Sequence, residues 1–358
     1  MTPGVEDILA PGGIVSRHLG GYERRDQQLD MARAVAGAFA DGEHLIVEAG
    51  TGVGKSFAYL VPGILAAVER ARRIVISTYT IALQEQLIGK DLPFLHDALP
   101  VEFSAVLGKG RNNYLCFRRL AMATKGRERL FASPRHYQQL QDLGEWAMET
   151  PDGSLQQIDF PLDRQVWEKV RSEAGSCRGG QCDHWGRCHL QAARLRMQAA
   201  NVLVVNHALF FSDLALQAAR AAQARLLGDY GFVVLDEAHT VEQVASNHFG
   251  RSVSSSMVAF LLRDLYNDQT DRGLLALIGD KKAIAAVNRA ANASEGFFGA
   301  LASYKGPAVA ANGRITAGGI VSNELSPALG QLAGEIERIR RDVRDPDRRY
   351  ELLGCGQR

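Results

Sequence analysis

The 358-residue chain has no surplus of charge: 41 lysines and arginines stand against 40 aspartates and glutamates, a formal charge of +1. That balance excludes a uniformly basic coat for nucleic acid, although a local basic track offset elsewhere stays possible. Long apolar runs are missing too. No stretch approaches the roughly 20 residues that span a bilayer, and Phe57 to Val68 is broken by Pro62 and Gly63. The opening residues carry Glu6 and Asp7 and lack the basic start and apolar core of a secretory signal. The chain therefore reads as cytoplasmic, with no membrane partner. Cysteine is scarce, at five, which argues against a secreted disulfide scaffold. There is no repeat of fixed period and no low-complexity linker.

Present instead is an ordinary folded composition, 46% hydrophobic and 23% charged. At about 150 residues per domain the length predicts two or three domains. Glycine, at 36, exceeds its usual share of about 7% and suggests tight turns and backbone-lined sites. Apolar runs alternate with helical patterns as in a parallel sheet. A helix is expected over Arg25 to Ala40, a strand over His44 to Glu48, and a helix from Lys55 towards Arg70. Strand Arg73 to Ser77, helix Ile81 to Ile88 and strand Val101 to Leu107 follow. The pattern lapses from about Lys109 to Leu190, as in an insertion, and strands return at Asn201 to Val205 and Phe232 to Leu235 around a helical segment Ala208 to Leu227. After Val244 the chain reads as mostly helical, with a break around Lys305 to Gly319.

Between the strand expected at His44 to Glu48 and the helix from Lys55 lies Ala49-Gly50-Thr51-Gly52-Val53-Gly54-Lys55-Ser56. This is the setting of a phosphate-binding loop, in which glycines let successive N–H groups and a helix N-terminus point at phosphate oxygens. Lys55 would reach the β and γ phosphates of ATP, and Ser56 would place its hydroxyl on Mg²⁺. Ala49 stands where the strict motif has glycine, a mild change because Gly50, Gly52 and Gly54 remain. Further on, Val233-Val234-Leu235 runs into Asp236-Glu237-Ala238-His239. An acidic pair after a strand is by itself ordinary helix-start charge. With a phosphate loop in the same chain, Asp236 becomes the second magnesium ligand, Glu237 the base for the attacking water and His239 a sensor of the γ-phosphate.

Four of the cysteines form a second constellation. Cys116 is followed after 60 residues by Cys177, then by Cys182 after four and Cys188 after five. Such a set suggests a metal centre, and spacing alone leaves zinc and iron–sulfur evenly matched, with His184 and His189 available as zinc ligands. Residues 109 to 136 carry eight basic side chains against Glu128 alone, next to Tyr114 and Phe117. That composition suits a channel that tracks phosphates and stacks bases.

The loop AGTGVGKS together with DEAH resembles the superfamily 2 helicases, whose first motor domain is RecA-like. Arg25-Asp26-Gln27-Gln28-Leu29-Asp30-Met31 resembles the R-x-x-Q-x-x-M element of that group, which would put Arg25 and Gln28 at the adenine. Ser77-Thr78-Tyr79-Thr80 followed by Leu83-Gln84-Glu85-Gln86-Leu87 resembles its motif Ia, which contacts single-strand backbone. Gly108-Lys109-Gly110-Arg111-Asn112-Asn113-Tyr114-Leu115-Cys116, the later cysteine spacing and Asn201 to Leu209 resemble the DinG and XPD branch.

That resemblance implies a [4Fe-4S] cluster on Cys116, Cys177, Cys182 and Cys188, and leaves Cys355 without a role. It implies a RecA-like α/β motor over 1–108 and 191–245, an iron–sulfur insertion over 109–190 and a helical Arch-like region over 246–358. The implied function is ATP-driven 5′ to 3′ movement on single-stranded or forked DNA. Neither an S-A-T element nor Q-x-x-G-R-x-x-R is found, so the chain is expected to be an N-terminal half not competent alone: a fragment, a split gene product, or one half of a two-chain machine whose second motor domain is on a separate chain. A nucleotide-gated strand-binding module and a zinc-bearing P-loop NTPase are the competing readings.

Overall fold

The computed structural model describes residues 3–219, 225–250, 252–310 and 312–357. The chain divides into two compact units, Met1–Gly110 with Ala193–Arg251, and Arg111–Ala192 with Ser252–Arg358.

The first unit is α/β. Its four strands are β1 (Ile74–Thr78), β2 (Ala105–Leu107), β3 (Val202–Asn206) and β4 (Phe232–Leu235). All pairings are parallel and the order is β2-β3-β1-β4, which puts β1 and β3 inside. Both inner strands are apolar on both faces, as a parallel sheet covered on two sides requires. Ile74 and Ile76 of β1 and Val202 and Val204 of β3 enter one cluster with Leu60 and Ile64 of the helix Lys55–Glu69. Their neighbours Val75, Leu203 and Val205 face the other way, onto Phe210 and Phe211 of the helix His207–Ala219. The side-chain period of two thus divides one sheet between two cores. Gly63 makes the first layer close: a Cβ there would lie 2.6 Å from Ile74 Cδ1.

Several expected elements end elsewhere. The helix Asp26–Asp41 and strand β4 fall where the sequence put them, whereas β2 keeps only the last part of Val101 to Leu107. Residues 220–224 of the helical stretch expected over Ala208 to Leu227 lie outside the described residues. The strand expected at His44 to Glu48 is not formed. Residues 43–50 pair with nothing in the sheet, and Ile46 is 98% exposed. An apolar run favours a strand only where a neighbouring strand completes the ladder, and none does so here.

The second unit is helical, with two apolar clusters. One joins Leu115, Leu120, Leu143, Val166 and Val170, and the other Leu262, Leu275, Ala286, Ile336 and Leu352. The long helix Lys281–Ser303 starts at Asp280, whose carboxylate accepts from the Ala283 N–H at 2.9 Å. It packs on Leu325–Asp342, which is followed by Pro346–Gln357. Within 111–192 the β pairing among the described residues is limited to isolated bridges, Tyr114 with Ser154 and Leu115 with Arg171. No helix among the described residues is long and apolar enough to cross a membrane.

Candidate nucleotide site

In the first unit the strands β1, β3 and β4 deliver their functional residues to the carboxyl edge of the sheet, where open α/β folds bind ligands. The helix Lys55–Glu69 begins directly after the glycine loop. Gly54, its N-cap, has φ +84°. Lys55 Nζ donates to Glu237 Oε1 at 3.2 Å, and the Tyr59 hydroxyl, one turn further on, donates to Asp236 Oδ2 at 3.2 Å. Thus two segments 180 residues apart in sequence meet through both acids of the D-E pair. Glu237 sits at φ +54°, a left-handed conformation for a non-glycine residue and a mark of local strain. Asp236 N–H donates to the Ser77 carbonyl at 2.8 Å, which ties β4's end to β1.

The electrostatics follow from burial. Asp236 is held above the ordinary aspartate range by desolvation, with the Glu237 charge adding to it and the Tyr59 hydrogen bond and Lys55 opposing. Burial, then the Asp236 charge, pushes the Tyr59 hydroxyl well up, so that it remains a donor. A cation placed beside Asp236 would reverse this arrangement by favouring the carboxylate. Lys55 and Glu237 are each about one-third exposed, at 31% and 30%, so their ion pair is accessible to an incoming phosphate.

Gln28 is buried and donates through Nε2 to the Gly54 carbonyl at 2.8 Å. Arg25 is the N-cap of the helix Asp26–Asp41 and stays largely exposed, its guanidinium near Glu23. Both line a cavity of about 170 Å³ with Gly54, Ser56, Phe57 and Asp91. Of the loop, Gly50, Thr51 and Gly52 are exposed, and Ala49, Val53 and Ser56 are half-buried. His239 is mostly exposed and lies 3.4 Å from Glu237 Oε2. Sequence reasoning missed Tyr59 and Asp91. The first is signalled only by its place one helical turn after Lys55. The second closes the π-helical turn Leu87–Asp91, and its carboxyl is raised by burial.

Gly54 cannot carry a side chain without loss. A Cβ there would lie 2.0 Å from Gln28 Nε2, so Gln28 would have to leave its hydrogen bond, and the positive φ adds strain of about 1–2 kcal/mol. Gly54→Ala is expected to weaken nucleotide binding at least about tenfold while the protein remains folded. Titration with a fluorescent ATP analogue alongside a thermal melt measures both.

No family model matches the chain. Among curated proteins, it is 35% identical over 263 residues to the ATP-dependent DNA helicase YoaA of Escherichia coli, covering 72% of this chain and 40% of that protein. It is 37% identical over 275 residues to the ATP-dependent helicase DinG of Mycobacterium tuberculosis, with the same two coverages. The chain is a homologue of the DinG and YoaA proteins. It spans about 40% of the length of these relatives. A Bacillus subtilis relative, 30% identical over 238 residues, is named as a 3′-5′ exonuclease. A solved XPD helicase overlays 93% of this chain on 50% of its own, at 16% identity and a TM-score of 0.46.

The second unit changes the reading of the basic track. Arg118 is 3% exposed and donates through Nη2 to Glu351 Oε1 at 2.6 Å and to the Ser176 carbonyl at 2.8 Å. Arg119, also buried, lies 3.3 Å from Glu351 and donates to the Arg171 carbonyl at 2.7 Å. These two arginines hold the fold together and do not face a strand. Tyr114, 2% exposed, offers no stacking surface, and Phe117 is stacked on His189 beneath the Arg187 guanidinium. Lys125, Arg127, Arg129 and Arg135 do reach the surface. Solvation of charge sets their exposure, whereas a partner more than 200 residues away buries Arg118, and composition does not distinguish the two cases.

Cys116, Cys182 and Cys188 carry free thiols of intermediate exposure, and Cys177 shares the loop of the latter two. Cys188 lies close enough to Cys116 to act on its charge. Burial holds the Cys116 thiol above its ordinary range, and the positive Arg118 and Arg119 oppose this. Among the described residues no group of three or more His, Cys, Asp or Glu is arranged as a metal site. The chemistry of the donors, thiols with two guanidiniums nearby, still fits a thiolate-held centre.

Proposed function

We propose that the chain is the nucleotide-binding motor part of a DinG-type DNA helicase, in which ATP hydrolysis drives 5′ to 3′ movement along single-stranded DNA. The observation that carries this reading is the meeting of Lys55 and Tyr59 with Glu237 and Asp236 across the sheet edge. Lys55 and Glu237 neutralise each other in the nucleotide-free protein. An arriving γ-phosphate competes for Lys55, and the exchange releases Glu237 to orient and deprotonate the attacking water. Ser56 and Asp236 would hold Mg²⁺, and the bond from Tyr59 keeps the Asp236 carboxylate aimed. Gln28 and Arg25 take the base side, and His239 reads whether the γ-phosphate is present. The names of the relatives support ATP-dependent action on DNA.

Cys116, Cys177, Cys182 and Cys188 would hold the [4Fe-4S] cluster, which when bound supplies a cross-link closing the long loop between the first and second of them. The exposed Lys125, Arg127, Arg129 and Arg135 would follow strand phosphates. A second RecA-like domain would contribute the arginine finger, worth about 10³ to 10⁵ in turnover in phosphoryl transfer.

The test is phosphate release by purified 1–358 with and without oligo-dT, before and after addition of a separately expressed second motor domain. Background turnover that rises with both additions is the expected outcome; strand binding gated by nucleotide with no turnover under any condition would favour a binding module instead. After anaerobic purification, iron and sulfide near four each per chain are expected. Stoichiometric zinc without iron would replace the cluster by the zinc reading.

A further inference from the structure

Between the nucleotide site and the segment Ser77 to Thr80 lies a group that neither has yet used. His207 follows β3 directly and is 1% exposed. Its Nδ1 stands 2.7 Å from Ser77 Oγ. Ser77 is also the residue whose carbonyl holds the Asp236 N–H. The Tyr79 ring centroid lies 6.4 Å from that of His207. The second ring nitrogen, Nε2, is buried without a hydrogen-bond partner among the described residues. Burial disfavours a proton on the ring, holding it below the ordinary histidine range, and the main chain and charge of Asp236 oppose this. A buried polar atom left without a partner is costly, and each such atom in a native structure calls for an explanation.

We infer that His207 is a positioning residue that couples the two sites: its Nε2–H closes onto the main chain of Asp236 when nucleotide draws Glu237 away from Lys55, and its grip on Ser77 carries that change to the strand-contacting end of β1. The inference rests on the proposed reading of Asp236 as a nucleotide ligand and of Ser77 to Thr80 as a strand contact. Its physical basis is the convergence of three strand ends on one imidazole. Ser77 pairs with Val205 of β3 and Leu235 of β4, so a shift at either neighbour's end must pass through the residue that His207 holds. Glu237 in its left-handed conformation provides the two-state element, because leaving the Lys55 pair lets its backbone relax.

The experiment is a coupling measurement on the full chain. Anisotropy of labelled oligo-dT gives the strand affinity with and without Mg²⁺ and a non-hydrolysable ATP analogue, and the ratio of the two is the coupling. A separate titration with a fluorescent ATP analogue gives nucleotide affinity. The wild type is expected to show a ratio of about fivefold or more. His207→Asn keeps an amide where Nδ1 meets Ser77 and has nothing at Nε2. It should therefore melt like the wild type and bind nucleotide, with a ratio near one, while His207→Gln, whose amide reaches the Nε2 position, should recover part of it. A ratio unchanged in His207→Asn overturns the proposal. Should that variant not fold, the ¹⁵N resonances of the imidazoles in the wild type decide: one ring nitrogen must move on addition of the analogue, and an unmoved set overturns the coupling. A wild type that binds strand but no nucleotide refutes the nucleotide reading itself, and the coupling falls with it.

Discussion

Replacing Lys55 by alanine is expected to abolish ATP hydrolysis and to weaken nucleotide binding by one to two orders of magnitude. The ammonium group is the single cation that the loop presents at the sheet edge, and a charge-assisted bond to phosphate contributes about 1.5–3 kcal/mol, or roughly 10- to 100-fold in affinity. Loss of a preorganised charge at the transferring phosphate costs a further factor of about 10² to 10³ in turnover. Stability should hardly change, since the Lys55–Glu237 pair is about one-third exposed and pairs of that kind contribute at most about 1 kcal/mol. Glu237→Gln separates the two roles of the pair. It removes the base and relieves the competition for Lys55, so nucleotide should bind as well as before or better and remain unhydrolysed. Binding is read with a fluorescent ATP analogue and turnover by phosphate release. Unchanged affinity in Lys55→Ala would remove the phosphate loop from the site.

How far the site was legible depended on whether its signals were local. The glycine loop and the D-E-A-H run are contiguous, and each has a mechanical reason for its spacing, so Lys55, Ser56, Asp236 and Glu237 could be named from the sequence. Tyr59 could not, because a tyrosine one turn into an apolar helix looks like core until β4 brings Asp236 to its hydroxyl. The bond between His207 and Ser77 was hidden for the same reason: it spans 130 residues of sequence. The strand expected at His44 to Glu48 shows the opposite error. Leu45, Ile46 and Val47 carry every local mark of a strand, and what decides the matter is the hydrogen-bonding neighbour, which lies outside any window of sequence. The basic track failed in a third way, since counting charges gives their sum and says nothing about which of them are neutralised inside.

That last failure leads to the largest effect on stability. Glu351→Ala is expected to destabilise the helical unit by about 3–5 kcal/mol, the usual consequence of removing one partner from a buried ion pair. Glu351 is 4% exposed and accepts from Arg118 at 2.6 Å, with Arg119 at 3.3 Å. Its loss leaves the buried Arg118 guanidinium facing Asp347, which is 3.7 Å away and about one-third exposed, while Arg119 keeps Glu173 at 3.3 Å. For a unit of this size the change corresponds to a fall of about 10–15 °C in melting temperature, detectable by calorimetry as a shift of one transition while nucleotide affinity in the other unit is retained. Glu337→Ala is the control. Its carboxyl is pinned by Arg340 and Arg341 and held down to about 2, yet it is exposed, so solvent replaces what the arginines supply and the melting temperature should scarcely move. The penalty in Glu351→Ala comes from stranded charge more than from lost attraction. Removing both charges, with Arg118→Met beside Glu351→Leu, should therefore recover much of the stability that the single substitution loses. A double variant no more stable than Glu351→Ala would show that the network's own hydrogen bonds to Ser176 and Arg171, and not the balance of buried charge, hold the helix Pro346–Gln357 in place.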